Sequence, residues 1–251
     1  MSARDRRPLR SGIAWTSDDR IVVRGHDLTR LIGSIGLGEM AFLELMGRLP
    51  EPEESTMFNA LCVTLVEHGL TPSAMATRLT MYGAPESLQG AVAAGLLGLG
   101  QRFGGPVEDA ARMLQEGVAA GTAPAEIVAA FRARRRPVPG LGHPQHTQAD
   151  PRVPRLFEVA AQNGFQGRHA ELLEQLAVEA ERAAGRRLPI NATGAMGAIA
   201  SDMGIPWRTC RGLAVMARAI GLVAHVQEEL GEPLAPEVMA RVDDDAEIRT
   251  D

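Results

Sequence analysis

Two histidines of this sequence lie where a side chain could exchange a proton with a ligand. His68 follows an apolar run that should stop at Gly69, so we expect it at a helix C-terminus, where the helix dipole favours a protonated ring. Helix capping alone would explain His68 equally well. His143 lies in the segment PGLGHP, residues 139–144, whose prolines and glycines constrain the backbone and expose consecutive peptide groups to a ligand. The loop residues that we expect to contact a ligand are Pro139, Gly140, Leu141 and Gly142.

Arginine side chains in two further places predict anion binding. The run Arg134, Arg135 and Arg136 stands directly before the glycine loop, which makes it a candidate for binding phosphate groups, although such runs also occur as solvated surface charge. Arg218 lies in an otherwise apolar helical pattern, and a buried arginine needs an anionic partner because an unpaired interior charge is very costly. That partner is either a carboxylate of the protein or a carboxylate of a substrate.

The segment NATG, residues 191–194, precedes a predicted helix whose free N–H groups and dipole favour an anion. Capping of that helix by Thr193 is the simpler interpretation. A metal site built from His143, His146 and Asp150 is a further alternative. No clear fourth ligand stands on a rigid element, so we expect no metal.

Composition places these residues in an ordinary globular protein. Of the 251 residues 45% are hydrophobic, 23% charged and only 4% aromatic, so the core must be packed from Ala, Leu, Val and Met, which favours helices over sheets. The formal net charge of -5 gives no indication of a nucleic-acid partner. No apolar run approaches the length of a membrane span, so we expect no membrane partner. We interpret Cys62 and Cys210 as two buried thiols of a cytoplasmic protein.

Periodicity predicts an all-α fold with one short N-terminal hairpin. Ile13, Trp15, Ile21 and Val23 alternate around a polar turn, which is typical of two paired strands. Beyond the hairpin, apolar positions recur at helical spacing, and Pro, Gly and Thr mark the helix ends. The predicted helices cover residues 57–69, 71–83, 85–104, 106–117, 122–134, 154–163, 168–185, 194–203 and 206–230, and one short helix follows in the tail. Residues 134–152 form a long irregular loop, a feature that is usually functional or disordered.

Several segments, in this order along the chain, resemble motifs of the citrate synthase superfamily. Residues 24–28, RGHDL, resemble its RGYDI, and residues 65–78, LVEHGLTPSAMATR, resemble its DHELNASTFTAR. The loop PGLGHPQHTQADPR, residues 139–152, resembles PGFGHRVYK…DPR, and ARAIGLVAHVQEE, residues 217–229, resembles ARTAGWIAHWLEQ. The loop and this last helix are specific in combination. The short chain and its NATG segment are most similar to citryl-CoA lyases and to the citrate synthase-like end of ATP-citrate lyase.

The resemblance implies a helical homodimer with a large domain, residues 1–105 and 206–251, and a small domain, residues 106–205, that closes over substrate. It implies two small-molecule partners, a 2-oxo acid and an acyl-CoA. The backbone of residues 139–143 falls where the family holds the adenine of coenzyme A. With the arginine run before it, this loop is the expected coenzyme A site.

The resemblance also assigns roles to single residues. His68 falls where the family has a histidine that binds the oxo acid. His143 falls on the histidine that donates to the substrate carbonyl or hydroxyl. Arg152 and Arg218 fall on arginines that bind substrate carboxylates.

Two positions depart from the family pattern. The family motif GPLHGGAN, whose histidine stabilises the thioester enolate, is matched by residues 100–107, in which Phe103 replaces that histidine. The family's catalytic aspartate, in NVDG-type sequences, is matched by Thr193. Phenylalanine donates no hydrogen bond, and threonine is no base near neutral pH. The half of the site that binds the oxo acid therefore looks retained, whereas the half that enolises acetyl-CoA looks rewritten.

We therefore expect an enzyme that makes or breaks the carbon–carbon bond between an acyl-CoA and a 2-oxo acid, in the simplest case cleaving citryl-CoA to acetyl-CoA and oxaloacetate. His143 would take the hydroxyl proton, and the candidates for stabilising or protonating the enolate are Asn191, Thr193, a backbone N–H or a bound water. One alternative is a non-catalytic sensor of CoA esters or polycarboxylates, which would also show altered catalytic positions. A second alternative is an acyl-CoA thioester hydrolase.

Overall fold

The computed structural model describes residues 10–142 and 148–247 and divides the chain into two compact units, Met1–Asn59 and Ala60–Asp251. The predicted all-α fold is confirmed, since helices dominate both units. His143 and His146, two of the predicted site residues, lie outside the described residues.

The first unit is built on a small antiparallel sheet followed by helices. Its elements are β1 (Ala14–Thr16), β2 (Ile21–Val23), β3 (His26–Asp27), α1 (Leu28–Leu31), α2 (Leu37–Met46) and the first part of α3 (Pro52–Val66). The predicted hairpin is confirmed, with Ala14 opposite Val23, while β3 is too short to show alternation in the sequence. Phe42 and Phe58 are buried with their rings edge-to-face, 5.4 Å apart at 84°, and form the centre of this unit.

In its described residues, 60–142 and 148–247, the second unit is helical apart from its loops and one isolated bridge. After the end of α3 its helices are α4 (Pro72–Gly83), α5 (Leu88–Leu99), α6 (Gly105–Ala120), α7 (Pro124–Ala133), α8 (Arg152–Gln162), α9 (Arg168–Ala184), α10 (Ala192–Asp202), α11 (Trp207–Gly231) and α12 (Ala235–Asp245). α11 packs against α4, α5 and α6, and α10 packs against α6, α8 and α9. One apolar core, with members between Met113 and Ala198, joins α6, α7, α9 and α10.

Local sequence signals explain the ends of α4. Thr71 caps the helix by accepting a hydrogen bond from the N–H of Ala74 at 3.3 Å, and Pro72 occupies the first turn, where no N–H is needed. The helix ends at Gly83, as predicted. The long irregular stretch before α8 is also confirmed for its described residues.

The prediction that Pro85 opens a helix is wrong. Pro85 stands in a turn closed by the N–H of Ser87 on the carbonyl of Ala84 at 3.0 Å, and α5 begins at Leu88. Proline pre-sets the backbone for the second position of such a turn as readily as for the first turn of a helix. The sequence therefore could not distinguish the two.

The predicted break at residues 104–105 is also wrong. α5 ends earlier, at Leu99, because Gly100 adopts a φ of 46°. A π-helical turn, Gly100–Gly104, then leads directly into α6. Such turns are rare and occur frequently at functional sites, and this one contains Phe103.

α11 is, by length and composition, apolar enough to cross a membrane, which the sequence analysis did not anticipate. Half of its most apolar 18-residue stretch is buried within the protein. Arg218, His225 and Glu229 are buried on the same helix. These properties are typical of the central helix of a globular domain.

Candidate active site

One face of α11 carries four buried residues directed toward α4 and the end of α3. They are Arg218, Gly221, His225 and Glu229. Intervals of three, four and four residues place them on one side of the helix. Arg218 was predicted from the sequence as a site residue, whereas His225 was part of the segment ARAIGLVAHVQEE without an assigned role. The structure makes this face the most charged interior region among the described residues.

Arg218 is 9% exposed, and its Nε donates to the backbone carbonyl of Leu65 at 3.2 Å. Burial lowers the pKa of Arg218 below its ordinary value, and the negative charge of Glu67 opposes that shift. Among the described residues, no carboxylate forms an ion pair with the guanidinium. Because a buried cation is costly without an anion, this position is suited to a ligand carboxylate.

The loop after α3 is held by Glu67. Its Oε1 accepts the backbone N–H groups of His68 and Gly69, both at 2.7 Å, and lies 3.2 Å from Nε2 of His225. Burial opposes ionisation of Glu67, but these hydrogen bonds outweigh it, so its pKa is lowered. The helix ends at Val66, and the exposed His68 lies just beyond it. Glu67, and not a capping His68, therefore satisfies the backbone of this loop.

Arg78 of α4 joins His225 to Glu229. Its Nε donates to Nδ1 of His225 at 3.0 Å, its Nη1 donates to Glu229 at 2.8 Å, and it also pairs with Glu228. Arg78 is 2% exposed. Burial raises the pKa of Glu229, but the hydrogen bonds from the N–H of Ala235 and from Arg78 outweigh it, so the pKa is lowered.

Arg78 was not predicted from the sequence as a site residue, although the sequence contains a signal for it. On α4, Ala74, Arg78 and Met81 are spaced four and three residues apart and are all buried. A charged residue on an otherwise apolar stripe indicates a buried partner. An open cleft of about 440 Å³ lies over this cluster and is lined by Leu70, Arg78, His225 and Glu228 among others.

A second region is formed by the glycine loop and the start of α10. The backbone of Leu141 bridges to Ile190, the N–H of Gly142 donates to Pro189 at 2.7 Å, and Gly140 accepts from the N–H of Asn191 at 3.0 Å. Several peptide groups of residues 140–142, which we expected to be exposed to a ligand, are therefore hydrogen bonded within the protein. Those groups are used to fasten the loop, whose φ values at Gly140 and Gly142 are 84° and 74°.

Two glycines allow the loop to approach α10 closely. A Cβ on Gly140 would lie 2.6 Å from the Cα of Gly194, and a Cβ on Gly194 would lie 2.4 Å from the carbonyl oxygen of Gly140. Neither contact is sterically possible for a larger residue without a backbone shift. The glycines of the loop motif and of the NATG segment are thus required by the same contact.

Asn191, and not Thr193, caps α10. Its Oδ1 accepts from the N–H of Gly194 at 3.0 Å and from the hydroxyl of Thr193 at 2.7 Å, and its Nδ2 donates to the carbonyl of Gly142 at 2.7 Å. The interpretation of Thr193 as the cap is corrected by this geometry. Asn191 fits better because its amide satisfies the helix and the loop simultaneously.

Arg152, a predicted carboxylate ligand, is the first residue of α8 and is oriented by Asp150. The Asp150 carboxylate receives Nε and Nη2 of Arg152 at 3.0 and 2.8 Å and the N–H of Ala192 at 3.0 Å. Burial opposes ionisation of Asp150, but these donors hold its pKa well below the usual range. The structure thereby places Arg152 beside the Asn191–Gly194 segment.

The remaining predicted site residues are exposed or half-buried. Arg134, Arg135 and Arg136 are exposed immediately after α7, and Phe103 is 45% exposed in the π-helical turn with the Arg102 guanidinium 5.9 Å from its ring centre. Pro139 lies half-buried at the start of the glycine loop. Within the described residues, no group of three His, Cys, Asp or Glu is arranged to hold a metal.

Comparison with known proteins identifies the family. Residues 16–236 match the family described as citrate synthase, C-terminal domain. Among curated proteins, ATP-citrate synthase beta chain protein 1 of Arabidopsis thaliana is 29% identical over 79% of this chain and 36% of its own length. The chain thus spans about a third of the length of that relative.

Solved structures agree with this match. Citryl-CoA lyase from Hydrogenobacter thermophilus is 36% identical, with a TM-score of 0.90 over 98% of this chain and 96% of that one. Citrate synthase from Thermotoga maritima is 19% identical, with a TM-score of 0.64 over 80% of this chain and 56% of that one. This likeness shows the shared fold alone. The resemblance inferred from the motifs is confirmed, and the chain belongs to the citrate synthase family.

Proposed function

We propose that this chain is an enzyme that makes or breaks the carbon–carbon bond between an acyl-CoA and a 2-oxo acid, with citryl-CoA cleavage as the simplest reaction. The observation that carries the proposal is the buried guanidinium of Arg218, which lies within the electrostatic influence of Glu67 and pairs with no described carboxylate. A substrate carboxylate would complete its charge balance. The likeness to a citryl-CoA lyase over almost the whole of both chains supports this choice.

In cleavage, the tertiary hydroxyl loses its proton, the adjacent carbon–carbon bond breaks, and its electron pair passes to the enolate of acetyl-CoA. We assign the hydroxyl proton to His143, and the carboxylates and new carbonyl of oxaloacetate to His68, Arg152 and Arg218. The enolate must then be protonated. Asn191, Thr193 and a backbone N–H are candidates for stabilising the enolate by hydrogen bonds, although both side chains already hydrogen bond within the α10 cap, and a bound water is the candidate for supplying the proton.

Coenzyme A is proposed to bind as part of the substrate, with its adenine at residues 139–143 and its phosphates at the arginine run. The exposure of Arg134, Arg135 and Arg136 directly before this loop supports that assignment. A protein of the same fold, Methanosaeta concilii ATP citrate lyase, has been solved in complex with (3S)-citryl-CoA and is 22% identical to this chain.

The direct test is incubation with citryl-CoA, with oxaloacetate, acetyl-CoA, citrate and free CoA measured separately. We expect oxaloacetate and acetyl-CoA in equal amounts, and their loss in Arg218→Ala. Citrate and free CoA without oxaloacetate would instead identify a thioester hydrolase. Binding without any product would support the sensor, which the altered positions Phe103 and Thr193 also favour.

We further propose a cytoplasmic homodimer, in which residues 106–205 form a small domain that closes on the rest. Exposed apolar side chains on α5, with Leu97 83% and Leu88 44% exposed, support a contact between two copies at this helix. Sedimentation equilibrium should give twice the chain mass. A monomer mass that is independent of concentration would contradict the dimer.

A further inference from the structure

The charged groups around His225 form a continuous hydrogen-bonded chain that ends at the backbone of His68, with Arg78, His225 and Glu229 buried and Glu67 exposed. It runs from Glu229 through Arg78 and His225 to Glu67, with heavy-atom distances of 2.8, 3.0 and 3.2 Å. α4 follows α3 directly along the sequence, whereas α11, which carries His225 and Glu229, comes from a distant part of it. Nothing in the proposed reaction uses Arg78, Glu67 or His225 directly.

Proton positions along this chain follow from its chemistry. A guanidinium has no acceptor, so Nδ1 of His225 must carry the lone pair that receives Arg78. His225 then holds its proton on Nε2 and donates it to Glu67. The lowered pKa of Glu67 agrees with a carboxylate that only accepts. Arg78 therefore donates to both Glu229 and His225, His225 donates to Glu67, and Glu67 accepts from the backbone N–H groups of the loop as well.

The loop depends on this carboxylate because its own backbone groups lie beyond the helix. Glu67 satisfies the N–H groups of His68 and Gly69, which no helical carbonyl reaches. Gly221 allows the approach, because a Cβ there would lie 2.2 Å from the carbonyl oxygen of Val66 and 2.7 Å from Oε2 of Glu67. Arg218 holds the same segment through the carbonyl of Leu65.

We propose that Glu67, His225 and Arg78 are positioning residues, which hold the loop of His68 at a fixed distance from the Arg218 guanidinium so that both can contact one oxo acid. This inference rests on the proposed function and deepens it by naming the groups that build its oxo-acid site. The anchor at the far end is Glu229, whose other oxygen accepts the N–H of Ala235 at the start of α12.

The test is the variant His225→Asn, which interrupts the hydrogen-bonded series between Arg78 and Glu67. The asparagine amide oxygen can still accept from Arg78, so the buried guanidinium keeps its partner, but the shorter side chain cannot reach Glu67. The matched control is His169→Asn. His169 also contacts a carboxylate, with its Nδ1 2.8 Å from Asp202, but neither residue belongs to the hydrogen-bonded series of His225.

We expect hydrogen exchange at the amides of His68 and Gly69 to be roughly three- to tenfold faster in His225→Asn, since one net hydrogen bond contributes that much. Affinity for oxaloacetate, measured by calorimetry, should fall about tenfold, while affinity for coenzyme A stays unchanged. Glu67→Gln, which keeps an acceptor of the same length, should retain more affinity than Glu67→Ala. His169→Asn should change neither loop exchange nor affinity.

Unchanged exchange at His68 and Gly69 in His225→Asn would overturn the proposal. So would faster exchange with unchanged oxaloacetate affinity, because the loop would then be braced without positioning a ligand group. If the unaltered protein neither binds oxaloacetate nor cleaves citryl-CoA, the proposed function fails, and with it the oxo-acid role of the chain. The exchange comparison would still decide separately whether His225 holds the loop.

Discussion

The end of α3 and the start of α10 are both held by a polar side chain that accepts backbone N–H groups, but the two regions differ in charge. Glu67 belongs to a cluster with two buried arginines, and Arg218 has no ion-pair partner among the described residues. Around α10 the amide of Asn191 fastens the glycine loop, and Arg152 is already paired with Asp150. The first region is arranged to receive an anion, whereas the second is largely satisfied by its own contacts.

This difference matches the sequence departures. The charged cluster contains Arg218 and adjoins His68, which fit the family pattern, whereas the second region contains Thr193 in place of the family aspartate. The π-helical turn carries the other departure, Phe103, with its ring partly in solvent. The binding half of the reaction is therefore preserved in charge and burial, and the enolising half is the one that has changed.

The largest expected effect concerns enolisation. Phe103 cannot donate a hydrogen bond to the thioester oxygen and Thr193 cannot act as a base at the methyl group, so proton exchange from the acetyl methyl group of acetyl-CoA in deuterated water should be negligible, with or without oxaloacetate. Phe103→His combined with Thr193→Asp should raise the exchange rate by at least about 10²-fold, the contribution of one such donor or base. NMR of the methyl group measures the rate, and rapid exchange in the unaltered protein would contradict the predicted loss.

The next effect concerns the charged cluster. Arg218→Lys keeps the charge but loses the planar pair of donors, so affinity for oxaloacetate and citrate should fall by roughly 10- to 100-fold. Arg155→Lys, at an exposed arginine on α8, is the matched control and should leave affinity unchanged. Equal calorimetric affinities in the two variants would mean that Arg218 is only a core residue.

A smaller effect, on the free energy of unfolding, tests whether Asp150 in the second region stabilises the fold. Asp150→Asn weakens the bond to Arg152, and we expect the free energy of unfolding to fall by about 2 kcal/mol at pH 7, near the value of a charged hydrogen bond. Since the pKa of Asp150 is lowered by folding, its stabilisation is complete above about pH 4 and is lost as the pH falls toward the folded value.

Urea unfolding measures the difference in the free energy of unfolding between Asp150→Asn and the unaltered protein. The measurement should run from about pH 2.5 to 7, which covers roughly the range in which ordinary carboxyl groups titrate. The gap between the two proteins should narrow only below about pH 4. A gap independent of pH would show that Asp150 acts through shape rather than charge.

The smallest effect is expected at the exposed arginines. Replacing Arg134, Arg135 and Arg136 by Gln should weaken coenzyme A binding by roughly tenfold at low salt and less at high salt, because solvent screens surface charge. Oxaloacetate affinity should not change. A control that replaces Arg155, Arg182 and Arg241, three other exposed arginines, removes the same charge, and an equal loss there would indicate a general field effect.

Sequence patterns by themselves determined the helical class and most helix positions. Thr71, Pro72 and Gly83 act on their immediate neighbours, so their effect on α4 could be predicted without knowing the fold. Arg218 was also predictable as a buried cation, because a single charge within an apolar helical run must find an anion. The structure at Pro85 could not be predicted, since a turn and a helix start require the same backbone angle of proline.

Only the tertiary structure decided which groups share a site. Arg78 and His225 are separated by 147 residues, and His225 and Glu67 by 158, so no local periodicity relates them. Their bonds exist because α4, α11 and the end of α3 pack together, an outcome of burial summed over the whole unit. The same reason explains the pairing of Asp150 with the N–H of Ala192, 42 residues away. The sequence therefore indicates which side chains could take part in a site, whereas helix packing determines which of them are in contact.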